Sequence, residues 1–367
     1  MTAQRQRLLW TAAGVVLIVL LAGAGIALAN RAQSRPSVAA STPAVTAPNA
    51  SASPSDPAPP AGADITGPLN LLIVGLDTRV SVPDWQPHSD AIMLLHVPAG
   101  LDSGYLFSLP RDLLVDVPAF PPSRFGGGRI KITEAMSRGA KVPGTKRPDV
   151  RQGYELLSRT VSAYTGIDTI DAGALLTFNG LRKLTDALGG VTLKIDQKVV
   201  SRTNQPDGKH RTLRPGGDGY VGPQAVYLPG TRRLVGWQAL DYARQRYTAG
   251  GDYTRQRHQR QLLKALLSEA DDAGLATDPA KLQAVVAALG DTLVFAGDRT
   301  PVDYAYALRN LRPSALTLVG LPGASVIRGG RYRGEQLTQV GRDFLEALAD
   351  GEADAFLRTH PKLVNKS

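Results

Sequence analysis

The 367-residue sequence contains no cysteine. That absence excludes disulfide bridges, iron–sulfur clusters, thiolate zinc sites and cysteine nucleophiles together. Histidine is scarce, at five residues, so a metal would be held mainly by oxygen ligands. Three catalytic signatures are also missing. There is no Gly-x-x-x-x-Gly-Lys loop, no His-Glu-x-x-His and no Gly-x-Ser-x-Gly. Nucleotide hydrolysis on a phosphate loop, zinc proteolysis and serine-esterase chemistry lose their usual supports. No internal repeat is present, and His96 and His210, each standing alone, read as structural.

What the sequence does have is 43% hydrophobic residues, enough to supply a sizeable core for one large domain or two ordinary ones. Lys and Arg number 42 against 32 Asp and Glu, a net charge of +10 that points to an anionic partner. The charge is uneven. Residues 1–35 carry Arg5, Arg7, Arg31 and Arg35 and no acid. Between them, Leu8 to Ala29 is 22 residues without a charge, about 33 Å as a helix and enough to span a bilayer. A cleaved signal peptide competes with a membrane anchor, because Ala27-Leu28-Ala29 has the small-x-small form of a cleavage site. The length favours the anchor, since about 7–15 apolar residues suffice for a signal peptide. Arg5 and Arg7 then stay in the cytoplasm and the bulk of the chain is exported.

Pro36 to Asp64 holds seven prolines among Ala, Ser and Thr and shows neither helical nor strand period. It reads as a linker of partly polyproline character. The expected division is a cytoplasmic tail at 1–7, an anchor at 8–29, a linker at 30–64, a catalytic domain at 65–350 and a C-terminal tail at 351–367. Short apolar runs at 69–76, 91–97, 105–109, 191–195 and 316–321 predict strands, the first buried on both faces. Helical periodicity marks 150–164, 181–188, 236–243, 252–270 and 282–289. Interleaved strands and helices predict an α/β fold, a layered α-β-α domain with a central mixed β-sheet, preceded by one N-terminal transmembrane helix. The stretch after Thr300 is either the end of that domain or a small appendage.

Polar residues punctuate these elements. The first strand ends in Asp77-Thr78-Arg79, Ser89-Asp90 opens the second, and the third ends in Ser108-Leu109-Pro110-Arg111-Asp112. Ligands in open α/β sheets sit beyond the carboxyl ends of strands, where Asp77, Arg79, Arg111 and Asp112 fall. A lone acid there is usually a turn former, but the same Asp/Arg mixture at two strand ends argues for a site. A second cluster, Arg244 to Arg260, has five arginines against one acid. On a helix Asp252, Arg255 and Gln259 form one stripe, and Leu262, Leu263 and Leu266 continue it as core. Arginine forks near a helix N-terminus suit pyrophosphate better than carboxylate. With Asp77 and Asp90 as hard oxygen ligands for Mg²⁺, or Mn²⁺ in its place, these residues describe a phosphoryl-transfer site.

The motifs together resemble the LytR-CpsA-Psr family in its actinobacterial type. The resemblance rests on Gly75-Leu76-Asp77-Thr78-Arg79, Ser89-Asp90, Ser108 to Asp112, Lys131-Ile132-Thr133-Glu134-Ala135, Leu188-Gly189-Gly190-Val191, Leu234 to Arg246 and Asp252 to Gln259. It implies a membrane-anchored ligase that moves a glycopolymer phosphate from a polyprenyl-pyrophosphate carrier to a sugar hydroxyl of peptidoglycan, releasing polyprenyl phosphate. By matching position, Asp77 and Asp90 correspond to the Mg²⁺-associated acids. Arg79, Arg111, Arg244, Arg246, Arg255 and Gln259 correspond to the pyrophosphate set. The lipid chain would enter an apolar pocket between sheet and helices that Phe178 and Leu181 share. Two departures stand out: His88 precedes Ser-Asp where many members have Arg, and His258 replaces the Arg of an Arg-Gln pair, each expected to retune phosphate contact. The proton acceptor stays open, because an acid close to Mg²⁺, as Asp77 would be, is a poor base. Two other classes compete with the transferase: an extracellular pyrophosphatase or phosphodiesterase acting on the same lipids, and a non-catalytic polyprenyl-phosphate or wall-polymer binding protein. Export places the domain away from nucleic acid whatever its charge.

Overall fold

The computed structural model describes residues 62–78, 85–216, 219–275 and 279–365. The expected transmembrane helix, and the expected linker apart from residues 62–64, lie outside them. No helix among the described residues is long and apolar enough to cross a membrane.

Strand β1 (Leu69–Asp77) is followed by β2 (His88–Val97), β3 (Gly104–Leu109) and a hairpin of β4 (Leu114–Val117) and β5 (Gly128–Lys131). Helices α1 (Ile132–Ala140) and α2 (Val150–Thr165) lead to β6 (Ala172–Thr177) and α3 (Phe178–Ala187). Next, β7 (Val191–Ile195) and β8 (Gly230–Leu234) form an antiparallel ribbon flanking an excursion at 196–229. Helices α4 (Gly236–Arg244), α5 (Gly251–Asp272) and α6 (Pro279–Leu289), strand β9 (Leu293–Gly297), helix α7 (Pro301–Ala307) and strand β10 (Leu316–Val319) follow. A hairpin of β11 (Gly323–Arg328) and β12 (Arg331–Leu337) precedes α8 (Gln339–Ala349) and α9 (Ala353–Thr359).

The central sheet has the order β9-β6-β1-β2-β3-β10 and is mixed: β1 pairs parallel with β6 and antiparallel with β2, and β10 pairs parallel with β3. The apolar run of β1 is continuous because both its faces are covered. Leu71 and Ile73 enter one core, with Leu184 of α3, Tyr242 of α4 and Leu262 and Leu266 of α5. Leu72, Val74 and Leu76 enter the other, with Met136 of α1, Leu157 of α2 and Phe344 of α8. The layers are therefore α-β-α, as expected.

Strand β6 reads poorly in the sequence because Gly173 and its neighbours are small. A Cβ on Gly173 would stand 2.3 Å from the ring of Tyr154, so the sheet accepts the buried tyrosine only where a side chain is missing. Strand β10 ends at Val319, two residues before the expected 321. The boundary expected at 350/351 is corrected by the packing. Ala353, Leu357 and Leu363 are buried in the second core, Val364 bridges Val319, and Asn365 accepts from Arg260 Nη2 at 2.5 Å. The C-terminal residues are thus part of the domain, since their apolar side chains complete the layer over β3 and β10.

Candidate functional site

One edge of the sheet gathers the candidate residues. Strands β1 and β3 end there, and antiparallel β2 begins there, so Asp77, Asp90 and Arg111 share an edge although Asp90 opens its strand. Ladder pairing sets Leu76 opposite Ser89 and Gly75 opposite Ala91, which leaves Asp90 as the extra residue of a β-bulge. A bulge re-aims its side chain and takes its backbone out of the ladder. Both consequences are used. Asp90 Oδ1 accepts from Arg111 Nη1 at 2.7 Å, and the Asp90 carbonyl accepts from Arg255 Nη2 at 3.0 Å.

The bulge is held from behind. Thr133 Oγ1 donates to the Ser89 carbonyl at 3.0 Å, and Ser89 Oγ donates in return to the Thr133 carbonyl at 3.4 Å. The Thr133 amide donates to the Arg111 carbonyl at 3.1 Å, so the first turn of α1 fixes both strand ends. Helix α5 supplies Arg255, which is buried and also pairs with Asp252 at 2.9 Å. Burial depresses the Arg255 pKa, with the charges of Arg111 and Arg246 adding to the effect and Asp252 and Asp90 opposing it. Arg111 is half-buried too, yet its pKa rises, because Asp90 and then Asp112 and Asp252 outweigh desolvation. The Nε donors of Arg111 and Arg255 are buried without a hydrogen-bond partner among the described residues. Such donors suit the oxygens of an anion.

Beside this cluster a narrow apolar cleft of about 70 Å³ opens between the sheet and helices α3 to α5. Ile73, Met93, Phe178, Leu181, Leu263 and Leu266 line its depth, and Arg244 and Gln259 stand among its lining residues. The Arg244 guanidinium lies 4.1 Å from the centre of the Phe178 ring, a cation–π contact. Arg246 lies over Tyr247, at 5.5 Å, while Arg202 from the excursion stacks on the same ring at 3.9 Å. Tyr247 is exposed, and its pKa is lowered by the hydrogen bond and charge of Arg246, with Arg202 and Arg111 adding to this. The turn carrying Arg244 and Arg246 is fixed by buried Asp241, which accepts from Ser201 Oγ at 2.9 Å, Tyr227 OH at 2.8 Å and Gln245 Nε2 at 2.8 Å.

Of the residues expected from sequence, Asp90, Arg111 and Arg255 are bonded together, while Arg244, Gln259, Phe178 and Leu181 line the cleft. Asp77 pairs in register with His88, and Arg79 lies outside the described residues. His258 departs from expectation. It is fully buried, stacks on Tyr242 at 4.3 Å and bonds Asp196 at 3.1 Å, so its ring packs helix α5 against α4. His88 Nδ1 meets the Gln86 carbonyl at 2.9 Å. Sequence reasoning left Tyr247, Asp241 and Thr133 without a role in the site. Thr133 and Asp241 carried a signal, since they lie in the Lys131–Ala135 and Leu234–Arg246 motifs, whereas Tyr247 carried none.

Among the described residues no three His, Asp or Glu side chains cluster as metal ligands. Asp77 and Asp90, the two carboxylates expected at a metal, both stand at this end of the sheet, and carboxylate oxygens are donors of the hard kind that Mg²⁺ takes.

The LytR_cpsA_psr family matches residues 34–305 of the chain. Cell wall biosynthesis protein LcpA of Corynebacterium glutamicum is 26% identical over 318 residues, which cover 78% of this chain and 57% of LcpA. The chain spans about half to three-fifths of the length of such curated relatives. Among solved structures, protein gbs0355 of Streptococcus agalactiae superposes with a TM-score of 0.58 at 21% identity, over 78% of this chain and 88% of that one. TagT bound to LI-WTA superposes with a TM-score of 0.52 at 19% identity, over 78% and 90%. These likenesses show the same fold.

Proposed function

The chain belongs to the LytR_cpsA_psr family, and on that premise we propose that it transfers a glycopolymer phosphate from a polyprenyl-pyrophosphate lipid to a sugar hydroxyl of peptidoglycan, releasing polyprenyl phosphate. The observation that carries this reading is the junction of two unlike surfaces: the bulge-held arginines at the sheet edge and the apolar cleft bearing Arg244 and Gln259. An amphiphile with a pyrophosphate head and a long hydrocarbon tail matches both. The ligand named in TagT bound to LI-WTA supports the choice of a wall-polymer precursor.

In this reading Arg111, Arg244, Arg246 and Arg255, with Arg79 and Gln259, grip the pyrophosphate oxygens, and the cleft takes the proximal part of the tail. Asp77 and Asp90 would hold Mg²⁺, which when bound neutralises part of the pyrophosphate charge. The acceptor hydroxyl oxygen forms a bond to the phosphorus next to the sugar, the bond from that phosphorus to the bridging oxygen breaks with its electron pair leaving on polyprenyl phosphate, and the hydroxyl proton passes to that phosphate or to water. Positioning and electrostatics supply most of the rate, because the arginine donors are held before the reaction by Asp90 and Asp252. An N-terminal anchor at residues 8–29 would keep the domain outside the cell beside its lipid substrate.

The test is incubation of the full chain with a polyprenyl-pyrophosphate-linked sugar, with and without peptidoglycan oligomers. Sugar joined to the oligomer through a phosphodiester is expected. Release of free sugar phosphate alone, even with abundant acceptor, would replace the transferase by the hydrolase; binding without any turnover would leave a carrier protein.

A further inference from the structure

A second cationic groove lies on the other face of the sheet. Its space of about 480 Å³ is lined by Arg129 and Lys131 of β5, Glu134 of α1, and Arg328 and Arg333 of the β11–β12 hairpin. Glu134, the acid among these, is already paired with Arg138 at 3.1 Å. Arg328 and Arg333 make no ion pair among the described residues, and both are exposed. The hairpin follows residue 305, where the family match ends.

The groove is built onto the candidate site. The Glu335 amide donates to the Asp112 carbonyl at 2.8 Å, and a Cβ on Gly334, whose φ is +156°, would stand 2.6 Å from that same oxygen. Glycine is what lets the hairpin come this close. Tyr332 OH donates to Asp112 at 3.3 Å, Lys131 pairs with Asp112 at 3.0 Å, and Tyr253 of α5 donates to Glu335 at 3.0 Å. Asp112 follows Arg111 and Tyr253 lies two residues before Arg255, so the hairpin is tied to both arginines of the cluster. The apolar cleft sits with the α3–α5 core and this groove with the α1 side, which gives an amphiphile held at the sheet edge two directions of exit.

We propose that this groove binds the anionic glycan of the lipid-linked donor, reading several negative charges along it with Arg129, Lys131, Arg328 and Arg333. The inference rests on the transferase reading for the source of its ligand. The tail leaves the pyrophosphate into the cleft and the glycan leaves it along the groove. Arg328 and Arg333 set a preference for charged over neutral chains without taking part in bond making.

The experiment measures binding of a galacturonate hexamer and of maltohexaose, its uncharged counterpart, to the full chain in detergent at fixed ionic strength. Wild type is expected to bind the galacturonate hexamer at least about tenfold more tightly. Arg328→Gln with Arg333→Gln should lose about that factor and leave the thermal midpoint unchanged. Lys198→Gln with Lys209→Gln, an equal loss of charge on the excursion, should have no effect. No binding by wild type, equal binding of maltohexaose, or an equal loss in the control pair would each overturn the proposal. In turnover, the Arg328/Arg333 pair should raise KM for a lipid-linked anionic hexasaccharide, at unchanged kcat, and leave a lipid-linked neutral monosaccharide unaffected. If wild type transfers neither donor, the transferase reading fails, and hexamer binding still decides the groove.

Discussion

Arg255 Nη2 donates to the backbone carbonyl of Asp90 at 3.0 Å, across 165 residues of chain. That carbonyl is free of the β-ladder because Asp90 is the extra residue of the bulge between β1 and β2. The side chain of the same residue holds Arg111. One aspartate thus positions two arginines through different atoms.

Asp90→Asn should therefore weaken the hold on Arg111, and remove one carboxylate proposed for Mg²⁺, while sparing the carbonyl contact to Arg255. Its carbonyl keeps Arg255, while the charge opposite Arg111 disappears. Transfer activity is expected to fall about 10²-fold, and Arg111→Gln added to Asp90→Asn should cost much less than in wild type. Steady-state kinetics on the four proteins of the cycle measure this. Simple additivity of the two losses would contradict the arrangement.

Arg244 and Phe178 act as one unit at the cleft. Phe178→Leu keeps the cleft apolar but removes the ring 4.1 Å from the Arg244 guanidinium. Affinity for a short polyprenyl phosphate should drop about three- to tenfold, matching a cation–π loss of about 1 kcal/mol. Titration calorimetry reads it, and an unchanged dissociation constant would remove Phe178 from the site.

Buried His258 predicts a pH dependence of stability. Burial lowers its pKa from the usual 6.5, and Asp196 offsets this in part. Near and below 6.5 the unfolded chain binds a proton that the folded chain refuses, so the contribution is full above 6.5 and declines as pH falls through the lowered value. Asp196 acts only at more acid pH: its own burial opposes the shift, but His258 and Arg257 hold it below the usual 3.8. His258→Phe, which keeps an aromatic ring against Tyr242, should flatten urea-unfolding stability just below 6.5. An unchanged slope there would assign the dependence elsewhere.

Ending the chain after Asp350 should destabilise the domain by at least about 3 kcal/mol, since Leu357 and Leu363 leave the core. Buried Arg260, whose pKa is lowered to about 9 by burial with Arg257 adding to it, would also lose Asn365. Denaturant midpoints of the two chains, with m-values compared, test this. Equal midpoints would restore the C-terminal residues to a dispensable tail.

Much of the fold was legible where local pattern and tertiary demand coincide. Strand β1 showed itself because both its faces are buried, and α2 because Tyr154, Leu157 and Val161 recur at helical spacing on one buried face. Strand β6 hid because Gly173 must stay small beneath Tyr154. The α8–α9 region hid because its apolar residues declare a core only once β10 lies beside β3. In the site, Arg111 and Arg255 were visible as charged punctuation beside apolar elements. Thr133 carried a motif but no visible partner, since it meets Ser89 44 residues away in the chain.

The sequence by itself determined which chemistries are closed to this protein and where cationic and apolar residues alternate, because composition and period are properties of the chain alone. Tertiary structure alone decided that Asp90 is a bulge residue, that His258 supports packing rather than phosphate, and that the β11–β12 hairpin rests against Asp112. The last two depend on contacts between residues 62 or more positions apart, and the bulge on the pairing of Leu76 with Ser89 and of Gly75 with Ala91 in two different strands, so no single element's pattern holds both partners.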